Sequence, residues 1–374
     1  MSIRFLLCCV LAATSATACA TGGGYDDDAR LPVREAIEEA YEELPGVVLS
    51  DRHYALEGEL RVTVAAPDSA TARAAIEVGF AAADSVERLL SVHHAASEVS
   101  AINEAAGHEP VAVSPWTETV VVASLDLAER TGGAFDPTIG PLVEVWGFGC
   151  DQCARPDSAG VRRALAKVGW RKIRYDPASH TVFLPEAGMA LDLRAAAKGF
   201  ALDRMREAML GAGATAGIFD LDGDHLFFGE GTESPRNLWP VVLSDPYDPR
   251  ESFAELEVPA GAMSTTSPYS RTVEMGGERI GHLIDPRTGW PAGGLASVTV
   301  FATDAIRSDV LSTALFVLGR ERGCDLLDEW EDVGAIFVIE PPLGQRGLVC
   351  VTPPMREYVK DLDPPYRPLE REDD

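Results

Sequence analysis

The stretch His282-Leu283-Ile284-Asp285-Pro286-Arg287-Thr288-Gly289 and the later Asp309-Val310-Leu311-Ser312-Thr313 hold a histidine, an arginine, carboxylates and hydroxyls at short range in the chain. Such groups can move a proton and hold a hard cation. An imidazole titrates near neutrality and can take the proton of a hydroxyl. Asp309 and Thr313 are four residues apart, so on a helix their oxygens share one face. One carboxylate plus one hydroxyl suits Mg2+, which takes a few protein oxygens and fills its remaining sites with phosphates and water. Read singly, each motif has a plainer use: Pro-Arg-Thr-Gly is an ordinary turn, and an Asp near a helix start is commonly a cap or dipole partner.

The apolar run 280–284 predicts a strand that delivers His282 to a sheet edge, with Asp285-Pro286 opening a turn and Gly289 closing it. The apolar run 308–318, ended by Gly319, predicts the helix that carries Asp309 and Thr313. Upstream, residues 47–67 alternate around Leu60, Val62 and Val64 and predict a strand. Residues 69–92 predict a helix whose Ile76, Phe80, Ala83, Val86 and Leu90 face the core. A second helix starts with Ser114 as N-cap and Pro115 in its first turn, and stops at Gly132-Gly133. The loop histidines His93 and His94 read as solvent-facing in preference to metal ligands.

A strand over 189–193 leads into a helix over 195–210, stopped by Gly211 and Gly213. Its positive N-terminal end, with Lys198 close by, is a place for a pyrophosphate; the plainer use of Lys198 is to solvate a helix face. Asp220, Asp222 and Asp224 resemble the start of a calcium loop, but Gly231 stands where a closing Glu is required. They read as a strand end and turn, with an auxiliary metal as the lesser alternative. Strands and helices without regular alternation argue for an α+β fold with mainly antiparallel sheets and packed helices.

Six ordered segments spanning roughly residues 85–320 together resemble the ApbE-type FAD:protein FMN transferases, the flavin transferase family. They are Ser97-Glu98-Val99-Ser100-Ala101-Ile102-Asn103; Gly133-Ala134-Phe135-Asp136-Pro137-Thr138-Ile139-Gly140-Pro141-Leu142-Val143 running into Trp146-Gly147-Phe148-Gly149; Leu191-Asp192-Leu193 leading into Ala197-Lys198-Gly199-Phe200-Ala201-Leu202-Asp203; Tyr269-Ser270-Arg271; the His282 turn; and the Asp309 helix. The resemblance implies a T-fold-like flavin transferase architecture. It also implies that FAD binds with its pyrophosphate near Mg2+ and that its FMN half passes to a Ser or Thr hydroxyl of an acceptor protein, with AMP leaving. By position in the motifs, Asp309 and Thr313 are the expected metal ligands, with the backbone carbonyl of Ala195 as a third. Lys198 and Arg287 are expected phosphate or flavin contacts, His282 the expected base, and Ser97, Asp136, Thr138, Tyr269 and Arg194 further cofactor-binding positions.

This chain departs from the family pattern at several glycines. The usual Met-Gly-Thr is closest to Leu56-Glu57-Gly58, the glycine before Ala-x-Ala-Lys-Gly is Arg194, a glycine pair is Asp222-Gly223, and Thr-Ser-Gly is replaced within Thr265-Thr266-Ser267-Pro268. Glycines let backbone approach a ligand closely, so these changes reshape the expected pocket. Arg194 either offers its guanidinium to phosphate oxygens or fills the flavin cavity by bulk. Two rivals therefore stand beside transfer: a non-catalytic flavin-binding or scaffolding lipoprotein, and an FAD pyrophosphatase with water as acceptor.

With 374 residues and 46% hydrophobic content the chain can bury a large core. A net charge of -27 makes nucleic acid and anionic lipid surfaces unsuitable partners and opposes FAD itself, so a divalent cation with a local Lys and Arg would be needed to hold it. Residues 1–18 read as a signal peptide, because the apolar core from Phe5 to Ala13 is too short to span a bilayer. Ala16-Thr17-Ala18-Cys19 resembles a bacterial lipobox, which predicts a lipid on Cys19 and a membrane-anchored exported protein at the periplasm or cell surface; Ala-x-Ala cleavage to a soluble exported protein is the alternative. Residues 19–45 read as a lipidated N-terminus and tether, 46–340 as the catalytic domain and 341–374 as a proline-rich acidic tail. Cys150, Cys153, Cys324 and Cys350 allow three disulfide pairings, and Cys150 with Cys153 reads as a structural clamp in preference to half a zinc site or a redox pair.

Overall fold

In a computed structural model, the structure describes residues 44–148, 155–231, 237–248, 251–268, 272–275, 278–340, 347–362 and 366–368. The strand expected over 47–67 is a hairpin, β1 (Val47–Ala55) and β2 (Gly58–Ala66), which turns at Leu56 and Glu57. Both turn residues have positive φ, 54° and 65°. Such a two-residue turn matches the twist of the paired strands but is strained for side chains larger than Gly, Asn or Asp, which is why the sequence hid it. Helix α1 (Ser69–Leu90) follows, capped by Asp68, and α2 (Pro115–Arg130) begins after Ser114 as expected.

Residues 189–193 run into α3 (Arg194–Gly211) without joining a sheet. Asn103 replaces the missing neighbour strand: its amide donates to the Leu191 carbonyl at 2.9 Å and its oxygen accepts the Leu191 N–H at 2.6 Å. Beyond α3 come β3 (Ala216–Leu221), β4 (Asp224–Phe228), β5 (Gly261–Thr266), β6 (Leu295–Ala302), α4 (Ala305–Leu327), β7 (Gly334–Ile339), β8 (Leu348–Val351) and β9 (Arg367–Pro368). Among the described residues, β1 to β9 form one sheet in chain order; every neighbouring pair is antiparallel except β8 and β9. The fold is therefore the expected α+β type with mainly antiparallel sheet.

Every residue of β6 is buried, as suits a central strand covered on both faces. On one face lie α1, α3 and α4, which share cores with β2, β3 and β6 through Val62, Phe219, Met205, Val298 and Leu311. On the other lies a three-stranded sheet of Trp239–Ser244, Ser252–Val258 and Val359–Leu362, packed through Trp239, Phe253 and Leu256 onto Phe227, Phe301 and Ile336. The segment after Glu340 is thus not a loose tail over its described part. Leu348, Val349, Cys350 and Val351 supply a strand, Pro353 starts a short helix, and buried Tyr366 packs on Phe253. An apolar strand outweighed the proline content that suggested otherwise.

Two further expectations need correction. The strand preceding the histidine, Glu278–Gly281, ends before His282 and pairs with Thr272–Met275 in a hairpin of its own instead of at the edge of the main sheet. Gly319 does interrupt α4, with φ 76° and ψ 172°, but helix resumes beyond it to Leu327. Cys324 and Cys350 are buried; Cys19, Cys150 and Cys153 lie outside the described residues. Among the described residues no helix is long and apolar enough to cross a membrane.

Candidate active site

Helices α3 and α4 meet so closely that a Cβ on Gly199 would lie 2.2 Å from the Ala305 carbonyl oxygen. At this contact the Gly199 N–H donates to Asp309 Oδ2 at 2.9 Å, while Asp203 accepts the N–H groups of Ala305 and Ile306, each at 3.1 Å. The Gly199 backbone thus meets that of Ala305, and the Asp309 and Asp203 side chains each reach back to an N–H of the other helix, so the helices run antiparallel here. One turn back along α3 is Ala195, toward which the antiparallel run of α4 carries Asp309, and Thr313 is one turn further along α4. The three positions expected to hold a cation therefore come from two helices locked in one register. They offer a carboxylate, a hydroxyl and a carbonyl, an all-oxygen set of the kind hard cations take.

Asp309 is buried, and its neighbour is Asp224 at the start of β4, a proximity that no local motif signals. Burial, then the like charge of Asp224, pushes the Asp309 carboxyl up to about 7 against the opposing pull of Lys198 and the Gly199 N–H. Lys198 is ion-paired with Asp224. Its burial favours the neutral amine, but the charges of Asp224 and Asp309 together outweigh this and hold its pKa above the usual lysine value. Asp224 follows the Asp222-Gly223 turn, where φ is 52° and 89°, so the strand end and turn expected of the three aspartates are present, with the third turned to a use not foreseen.

Lys198 is thus already neutralised by the fold, and the other two expected cations are as well. Arg194 lies at the first position of α3 and grips Asp192, with contacts of 2.6 Å and 3.0 Å from Nη2 and Nε. Its strongest influence is this hydrogen-bonded pair, against which burial works, and Glu57 adds a further negative charge. Glu57 in turn sits 3.2 Å from His93, which places the strained β1–β2 turn beside the start of α3. Arg287 pairs with Asp285 at 2.8 Å and reaches toward the Val317 carbonyl at 3.5 Å. Val317 is one turn beyond Thr313, so Arg287 ties the His282 turn to the ligand-bearing helix.

That turn is built as expected. Asp285 Oδ1 accepts the Arg287 N–H at 2.8 Å, and the Asp285 carbonyl accepts the Gly289 N–H at 2.8 Å, with Gly289 at φ 79°. Buried Trp146 fixes it from outside by donating to the Gly289 carbonyl at 2.9 Å. His282 is partly buried and directly follows the strand Glu278–Gly281.

Three residues expected at the cofactor make hydrogen bonds within the fold. Ser97 is the N-cap of the helix Glu98–Glu104 and also donates to the Ser91 carbonyl at 2.7 Å. Asp136 accepts from the Thr138 hydroxyl at 2.6 Å and from the Trp170 N–H at 2.9 Å. Thr138 accepts the Gly169 N–H at 2.7 Å. In the structure these three residues hold loops together. Tyr269 lies outside the described residues. His93 and His94 line an open cavity with Asp84, Glu87, Arg88 and Ser91, and among the described residues no three His, Cys, Asp or Glu side chains are placed to hold a metal ion.

An α+β domain whose helices lock oxygen donors beside a partly buried lysine defines a class; comparison with known proteins names it. The chain matches the ApbE family over residues 57–337 and belongs to that family. It is 34% identical over 283 residues to a protein of Treponema pallidum named FAD:protein FMN transferase, covering 72% of this chain and 78% of the relative. A Klebsiella pneumoniae protein of the same name is 34% identical over 286 residues, covering 76% and 86%. Among solved structures, the ApbE protein of Thermotoga maritima superposes with a TM-score of 0.77 at 28% identity, covering 84% of this chain and all (100%) of that one. Flavin Transferase ApbE from Vibrio cholerae shares the fold with a TM-score of 0.73 at 23% identity, covering 84% and 100%.

Proposed function

We propose that this chain is an FAD:protein FMN transferase that uses Mg2+ to pass the FMN half of FAD to a Ser or Thr hydroxyl of an acceptor protein. The observation that supports the reading is the antiparallel contact of α3 and α4, in which buried Asp309 accepts the Gly199 N–H one turn beyond Ala195 on α3. The residues fit a divalent cation: Asp309 is buried next to another carboxylate, where its ionised form is disfavoured until a positive charge arrives. Asp309, Thr313 and the Ala195 carbonyl would hold Mg2+, which when bound neutralises pyrophosphate oxygens and eases departure of AMP.

His282 takes the proton from the acceptor hydroxyl on an imidazole nitrogen. The freed oxygen forms a bond to the FMN phosphorus as the pyrophosphate P–O bond breaks and AMP leaves. Arg287 steadies phosphate oxygens from the turn, and Lys198 supports the site's charge balance from within its pair with Asp224. Residues 1–43 lie outside the described structure; we propose that residues 1–18 export the chain and that a lipid on Cys19 anchors it.

A second reading has one observation in its favour. Lys198, Arg194 and Arg287 are all matched by aspartates of the fold, so the site offers an anion less free positive charge than the motifs suggest. A flavin binder without transfer, or a pyrophosphatase using water, is consistent with that. Incubating the full chain with FAD, Mg2+ and an acceptor protein decides among them. Transfer yields AMP and flavin-labelled acceptor in equal amounts, hydrolysis yields AMP and free FMN, and binding alone yields neither.

A further inference from the structure

The contact that sets the register of the cation site also contains a residue to which no part in the chemistry has been given. The first N–H groups of a helix need partners from outside the helix. In α4 the N-cap Asp304 supplies one, accepting the Arg307 N–H at 3.1 Å, and its backbone carbonyl accepts the Ser308 N–H at 3.3 Å. The Ala305 and Ile306 N–H groups are beyond its reach and go to Asp203, four residues after Gly199 on α3. Asp309 is likewise four residues after Ala305. Each helix therefore receives, one turn beyond the backbone it presents, the N–H of the other: 199 to 309 and 305 to 203.

We propose that Asp203 is a positioning residue for the cation site, fixing how far along α3 the Asp309 and Thr313 oxygens stand. Asp203 is buried and also paired with Arg206 at 3.1 Å, so it is oriented from both sides. The clasp has little slack, because the Gly199 and Ala305 backbones are already in contact. Hydroxyl pairs, Ser264 with Ser308 at 2.9 Å and Thr266 with Ser312 at 2.7 Å, tie α4 to β5, whereas Asp203 ties its N-terminus to α3 itself. A helix moves as a rigid rod over two turns, so a slip at Ala305 is carried to Asp309 and Thr313. Metal ligands tolerate displacements of only about 0.2 Å, so even a small slip weakens binding.

The consequence for metal rests on the Mg2+ reading above; the clasp itself does not. The test uses the full chain with Asp203→Ala and Asp203→Asn, at a temperature where circular dichroism shows all forms folded. Two quantities are read: hydrogen exchange by mass spectrometry in peptides covering 195–203 and 305–313, and Mn2+ affinity by calorimetry. Asp203→Ala is expected to speed exchange in both peptides and weaken Mn2+ about tenfold or more, the usual scale for a residue that orients a ligand. Asp203→Asn, which keeps one acceptor oxygen and the side-chain shape, is expected to recover part of both, and it stands in should the alanine variant not fold. A residue that merely adds stability would lower the melting temperature and leave Mn2+ affinity in the folded protein unchanged; that result overturns the proposal. If the unmodified chain binds no Mn2+, the Mg2+ reading fails. The exchange arm then decides alone, and unchanged protection over 195–203 in Asp203→Ala sinks the clasp.

Discussion

Asp309 and the His282 turn occupy the same candidate site but are held in opposite ways. Asp309 takes its hydrogen bond from Gly199, 110 residues earlier, and Lys198 reaches Asp224 across 26 residues, all within packed helices and a strand end. The His282 turn is hydrogen-bonded largely to itself, through Asp285 to Arg287, Thr288, Gly289 and Trp290, with Trp146 and Val317 among its partners outside the turn. Buried charge must be matched on site, because water cannot do it, so the cation half is built into the core. On the proposed reading the base has to meet a hydroxyl brought by another protein, and a turn that follows a hairpin separate from the main sheet is suited to that. The expectation is that damage to the first half shows in metal binding and damage to the second in turnover.

The largest effect should come from Asp309→Ala, with metal-dependent activity falling by a factor on the order of a thousand or more. Removing the carboxylate leaves the Lys198 pair with Asp224 in place, so the fold should survive. Calorimetry with nucleotide present is expected to show Mg2+ affinity lost; unchanged affinity would remove Asp309 from the cation site. His282→Asn tests the other half. Its transfer rate should fall on the order of a hundredfold or more while FAD affinity stays within about twofold, since a lost base affects the reaction and not ground-state binding. Wild-type turnover in this variant would exclude His282 as the base.

A subtler separation of the halves lies in stability against pH without metal. The Asp309 carboxyl is raised from an ordinary 3.8 to about 7 by burial and by Asp224. Between those values the folded chain holds a proton that the unfolded chain has released, so this group makes stability fall as pH rises from about 4 to about 7 and adds no slope above. Asp136 and Asp203, also raised by burial, slope the same way, so the comparison must be with a variant. Melting temperatures in chelator are expected to fall less steeply across this window in Asp309→Asn than in the unmodified chain. Parallel curves would mean that Asp309 does not carry the buried proton.

What was legible in the sequence follows the same division. Asp285-Pro286 with Gly289, the Ser114-Pro115 helix start and the spacing of Asp309 and Thr313 are local signals, and the structure contains each. Asp224 was visible as part of an aspartate run, but only the fold brings β4 against α3, so its partnership with Lys198 had no sequence signal. Asp203 closes the Ala197–Asp203 segment that carries part of the family resemblance, but that it caps another helix about a hundred residues away depends on packing. The β1–β2 turn was hidden for the opposite reason. Leu56 and Glu57 are poor residues for positive φ, and the strain is borne because the flanking strands pair along their full length.

Arg194 gives the smallest expected effect and the sharpest question, because it joins the halves of the argument. It stands where the family pattern has glycine, one residue before Ala195, yet its guanidinium is spent on Asp192, with Glu57 near. Since the side chain is about one-third exposed (37%), the pair itself should contribute no more than about 1 kcal/mol to stability. Its effect on FAD is decided by which anion it prefers. If the FAD pyrophosphate draws the guanidinium from Asp192, Arg194→Gly loses a charge-assisted hydrogen bond and weakens FAD binding by about 1 kcal/mol or more, roughly fivefold. If Asp192 keeps it, the side chain only narrows the approach to α3, and the glycine variant binds FAD more tightly. The Asp192 contact satisfies two of the guanidinium donors and leaves others to share, so weaker binding in the glycine variant is the expected result, read by flavin fluorescence at low salt and again at high salt. A loss that shrinks with salt marks a phosphate contact, whereas tighter binding at both would mark occlusion and favour the reading without transfer.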